Sequence, residues 1–176
     1  MAVRPGLKYS GLTIEQNYFN NLPDIVFDNQ IGYRIGLEFE LVMPFNNNKW
    51  AFVFEPTYQS FQGETHIPQN DVVIDYRSVE IPMGARYYMY LNDKSRLFVN
   101  GFLLMDLPLN SKVEFSNRVD AEIDSQPNLA FGAGFSYNQR YSVEFRYQTT
   151  RELFDTYTIY ASKYSTVALI AGIKLF

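Results

Sequence analysis

Few residues in this chain have the type and spacing for chemistry. The only histidine, His66, stands beside Pro68, and the reading places it in a loop as a solvated surface residue. It would have to serve Ser60 or Ser78 as a base, and no sequence feature brings them together. Glu38 and Glu40 point the same way, a pattern suited to acid–base work that Arg34 or Arg146 nearby would neutralise. There is no cysteine, so disulfides, thiolate metal sites and cysteine nucleophiles are excluded. With one histidine, a metal site would have only weak carboxylate ligands, and neither a metal nor any other cofactor is expected. No G-x-x-x-x-G-K-[ST] phosphate loop is present, and the chain is not expected to be an enzyme.

What remains is a set of charges that recur at every second residue. Six are basic: Arg4, Lys8, Arg34, Arg86, Arg146 and Lys174. Six are acidic: Glu38, Glu40, Glu55, Glu80, Asp106 and Glu144. Such spacing places them on one face of extended strands. Glu80 and Arg86 are six residues apart on one strand, too far for a direct bond, so partners such as Asp106 or Glu55 on neighbouring strands are expected.

Eight strands carry the alternation, at 3–14, 31–45, 49–61, 73–90, 96–107, 128–137, 141–151 and 165–176. Three connections are short and polar, at Asn46-Asn47-Asn48, Asn92-Asp93-Lys94 and Asn138-Gln139-Arg140, where Asn and Asp supply turn chemistry. Four are longer, at 15–30, 62–72, 108–127 and 152–164. Alternating short and long connections with an even strand count describe an up-and-down outer-membrane barrel, its short turns periplasmic. Helical spanning is excluded, since the longest apolar run covers only 167–173. The start, Met1 to Pro5, lacks the apolar region of a secretory signal, which was either cut away or never present.

The faces opposite the charges are apolar, as in Ile31, Tyr33, Ile35, Leu37, Phe39 and Leu41 against Gly32, Arg34, Gly36, Glu38 and Glu40. A soluble lipocalin-like barrel would turn the apolar face inward. An eight-stranded interior is just wide enough for side chains to fill, and the aromatic-rich face would overfill it. Glycines and paired charges fit inside; the apolar face fits lipid. Phe45, Trp50, Tyr87, Tyr137 and Tyr141 would form a girdle at the short-turn end, and Tyr33, Tyr58 and Tyr147 one toward the long loops. In the last strand Lys174 is read as inward, which turns Phe176 inward too. The 176 residues are enough for a single domain of ordinary size, and net charge −4 at 47% hydrophobic residues speaks against disorder and nucleic-acid binding.

The segment Tyr76-Arg77-Ser78-Val79-Glu80-Ile81-Pro82-Met83-Gly84-Ala85-Arg86-Tyr87-Tyr88 resembles the Y-x-x-x-E-I/L-P-x-x-x-K/R-Y strand of the PorT-like outer-membrane β-barrel family of Bacteroidetes. Residues 128–135 followed by 141–147 resemble that family's late hairpin, and the likeness spans nearly the whole chain. A closer likeness is to the C-terminal barrel of longer flavobacterial-type proteins with a periplasmic N-terminal region. The resemblance implies the fold and an outer-membrane location; it says little about biochemical role.

The sequence thus predicts one all-β domain over 1–176, an eight-stranded antiparallel transmembrane barrel, monomeric, in contact with outer-membrane lipid. A salt-bridged lumen would make it an anchor or binding scaffold, with a small passive pore as the alternative. The long loops would meet a protein or glycan partner through Tyr18, Phe19 and Phe27 in the first and Phe154, Tyr157 and Tyr160 in the last.

Overall fold

The computed structural model describes residues 1–16, 25–67, 70–109, 112–115, 121–122, 127–151 and 160–175, with side chains placed for 1–11, 31–60, 76–109, 127–150 and 165–175. Eight antiparallel staves close into a barrel. They are β1 (Ala2–Gln16), β2 (Ile25–Val42), β3 (Trp50–Phe54) continued by β4 (Thr57–Ile67), β5 (Asn70–Tyr90), β6 (Ser95–Pro108), β9 (Asn128–Tyr137), β10 (Tyr141–Arg151) and β11 (Tyr160–Lys174). Two short strands, β7 (Lys112–Phe115) and β8 (Ala121–Glu122), lie between β6 and β9, and β7 pairs with the outer part of β5. Closure comes from β1 pairing with β11, from Ala2 opposite Lys174 to Gln16 opposite Tyr160.

The short turns are made by backbone that few residues adopt. Asn46, Asn47 and Asn48 all have positive φ (51°, 55° and 58°), as do Asn138 (52°) and Gln139 (56°). Asparagine tolerates this left-handed region better than other non-glycine residues, which explains its choice at four of these five positions. At the third turn, the Asn92 side-chain oxygen accepts from the backbone N–H groups of Lys94 and Ser95 (3.0 and 2.8 Å).

Two expectations are corrected here. The stretch 49–61 is not one unbroken strand, because Pro56 lacks the N–H a ladder needs. The break is bridged by Glu55 N–H donating to the Pro82 carbonyl (2.9 Å) and Leu37 N–H donating to the Pro56 carbonyl (3.0 Å), so the stave stays in register. The supposed loop at 62–72 is largely strand: β4 and β5 stay paired out to Ile67 opposite Asn70. His66 therefore stands on β4, in register with Asp71. Phe27 and Tyr160 likewise stand on β2 and β11. Tyr18, Phe19, Phe154, Tyr157 and Phe176 lie outside the described residues.

Alternation decides what each face meets. Ile31 is 73% exposed, Leu7 60% and Phe131 55%, and these outward residues run in a continuous band around the staves. A soluble protein rarely exposes so large an apolar surface, and lipid is the medium that covers it. The aromatic residues edge this band. Trp50 packs edge-on against Tyr87 at one end (ring centroids 5.0 Å apart) and Tyr33 against Tyr58 at the other (6.3 Å). Trp50 and Tyr58 are eight residues apart along one stave, about 26 Å, which for a strand tilted by about 40° spans roughly 20 Å of bilayer. This inside-out arrangement speaks against the lipocalin-like alternative.

Candidate functional site

The inward face holds charge at a density that water-soluble cores avoid. Arg4, Arg34, Arg86, Arg146, Glu38, Glu55 and Glu144 are each 5% exposed or less. Glycines make the room: a Cβ built at Gly132 would lie 2.4 Å from Glu144 Oε1. The charges come from β1, β2, the β3–β4 junction, β5 and β10.

Four arginines and four glutamates form one chain of alternating sign. Arg34 Nη2 donates to Glu55 Oε1 (2.5 Å), and Arg146 Nη2 to Glu55 Oε2 (2.8 Å). Arg146 Nε reaches Glu144 Oε1 (2.7 Å), and Glu144 also takes Arg4. Arg4 Nη1 continues to Glu38 Oε2 (2.7 Å). Arg86 grips both oxygens of Glu38 (3.1 and 2.7 Å) in the two-pronged geometry that suits guanidinium to carboxylate. It then reaches Glu40 at 3.5 Å. Two longer contacts, Arg4 to Glu55 (3.7 Å) and Arg86 to Glu144 (3.8 Å), cross-link the chain.

Apolar side chains from β3, β6 and β9 complete the packing inside the lumen. Phe98, Phe102, Leu104, Val53 and Ala130 are buried there. The Arg86 guanidinium lies 4.5 Å from the Phe98 ring centre, and Arg146 lies 4.5 Å from that of Phe102. Cations so placed gain from the ring quadrupole as well as from their carboxylates.

Toward the outer end the polar contacts become neutral or mixed. Lys8 donates to Gln59, which donates to Ser78 (2.8 Å). Gln148 donates to both oxygens of Glu80 (3.0 and 2.8 Å), and the Tyr76 hydroxyl donates to Asp106.

All twelve charges read from the sequence face inward, Lys174 lining a small cavity at the short-turn end. Their pairing differs from expectation. Neither Asp106 nor Glu55 meets Arg86, and Asp106 stands in register with Glu80, a neighbour of the same sign. Strand parity gives the face of a side chain, whereas its height in the lumen depends on how far each stave is staggered against the next. Arg96 was missed altogether. It also faces the lumen, with its guanidinium 3.7 Å from the centre of the Tyr88 ring. It sits on the charged parity of β6, next to the turn, which is the signal that could have found it.

No known family model matches the sequence, and no curated protein matches it. Solved structures do resemble the fold. Neisserial surface protein A aligns with a TM-score of 0.55 at 13% identity, covering 99% of both chains. Ail, the attachment invasion locus protein of Yersinia pestis, gives 0.50 at 18%, covering 98% of this chain and 97% of its own. The outer membrane protein OprG of Pseudomonas aeruginosa gives 0.51 at 12%, covering 97% and 92%. The chain therefore has the fold of the small eight-stranded outer-membrane β-barrels.

Proposed function

We propose that this chain resides in the outer membrane as a closed barrel, acting as an anchor or binding scaffold without catalysis. The supporting observation is the alternating chain of four arginines and four glutamates across the lumen, backed by Phe98 and Phe102. Side chains paired in this way fill the narrow lumen and oppose a continuous water path. Opening one would separate buried pairs, at a cost of about 3–5 kcal/mol for each partner lost. Barrels that hold an aqueous channel usually have sixteen strands or more.

The segment from Tyr76 to Tyr88 supports a finer placement beside the PorT-like barrels. In that reading the barrel is the C-terminal part of a longer, monomeric protein and tethers a periplasmic region. The outer strand extensions, such as β4–β5 to Ile67 and Asn70, then serve as the surface for a protein or glycan.

The test is planar-bilayer conductance of refolded protein whose insertion is verified by heat-dependent gel mobility. Inserted protein is expected to be silent. Reproducible conductance steps would overturn the closed-lumen reading in favour of a small pore.

A further inference from the structure

At the short-turn end the balance of charge breaks down. A cavity there is bounded by four cations, Arg86, Arg96, Arg140 and Lys174, against two carboxylates, Glu38 and Glu40. Both carboxylates are already engaged. Glu38 is held by Arg4 and Arg86, and Glu40 accepts from the Tyr88 hydroxyl and faces Arg86. Among the described residues, no carboxylate lies within ion-pairing distance of Arg96, Arg140 or Lys174. The Arg96 Nε–H is buried and has no hydrogen-bond partner there, a state it shares with Arg4 Nε and two donors of Arg34 deeper in the lumen. What sets the mouth apart is its surplus of cations over carboxylates, which an anion supplied from outside would offset.

We propose that this mouth is a binding site for a phosphate-class oxyanion. Arg96 is held in place by stacking on Tyr88, which leaves its donors preset rather than floppy. Arg140 and Lys174 are positioned together, because the Lys174 N–H donates to the Arg140 carbonyl (2.8 Å). Ser136 and Ser142 add hydroxyls to the lining. The half-open space, about 30 Å³, has room for about two waters, comparable to one tetrahedral oxyanion. A guanidinium with an ammonium beside it is the usual recognition chemistry for such a group. The anion could arrive as free phosphate or as a lipid phosphomonoester headgroup. The site does not depend on whether the lumen above it conducts.

Calorimetric titration with inorganic phosphate, on protein refolded in maltoside micelles and in buffer free of phosphate and sulfate, tests this. One saturable site is expected, weakened at least tenfold by Arg96→Gln and again by Lys174→Gln. Lys94→Gln, on the neighbouring turn and outside the cavity, should leave it unchanged. Heat-dependent gel mobility shows whether each variant is folded, and Lys174→Gln, which removes no ion pair among the described residues, serves if Arg96→Gln fails to fold. Should free phosphate not bind, micelles doped with short-chain phosphatidic acid provide the second arm. Saturable binding there, lost in Arg96→Gln, assigns the site to a headgroup. Binding in neither arm, or equal weakening in Lys94→Gln, overturns the proposal.

Discussion

The middle of the lumen and its short-turn mouth are built from the same residue types yet differ in kind. In the middle, each arginine meets at least one carboxylate and the charges cancel. At the mouth, Arg96, Arg140 and Lys174 line open space and meet none among the described residues. Buried charges held by their partners stiffen a barrel and exclude solvent. Cations left over at a wet rim are available to something else. The number of charges is therefore a poor guide to role; what matters is whether each one is already paired.

That contrast can be broken most severely at Glu55, which serves Arg4, Arg34 and Arg146 at once. Glu55→Ala leaves three buried guanidinium groups without their shared carboxylate and should lower unfolding free energy by about 3–5 kcal/mol in a urea titration of the folded barrel. Arg86→Ala should cost less, about 3 kcal/mol, because Glu38 keeps Arg4. An unchanged melting temperature in that variant would count against the structural role of the network. Gly132→Ala tests the packing rather than the charge. Its new methyl group must push Glu144 away from Arg146, for an expected loss of about 1–3 kcal/mol. Lys174→Gln should change stability by no more than about 0.5 kcal/mol while still weakening phosphate binding. A large destabilisation there would mean that the mouth is built like the middle.

Much of the wall was legible in the sequence, since strand alternation alone separates Arg34 and Glu38 from Tyr33 and Leu37. The three asparagine turns were equally plain: Asn46–Asn48 and Asn138 take backbone that few other residues accept, and Asn92 closes its turn through its side chain. Partners were not legible. Arg86 meets Glu38, far away in sequence, through a stagger between staves that no local pattern encodes. The reach of β4 and β5 was also hidden. Polar residues such as Gln62, Glu64 and Thr65 read as loop, yet a strand beyond the apolar band needs no greasy face to remain paired.

The seam between β1 and β11 has a consequence for how the molecule is made. Ala2 must find Lys174, so the first stave waits for the last before the cylinder can shut. Until then each of the two carries an unsatisfied edge, open to any other strand in reach. Folding of this topology is slow for the same reason, since its defining contact spans nearly the whole chain. Any partly assembled form of this chain is a sheet with two sticky margins, which must be sheltered until the ends meet.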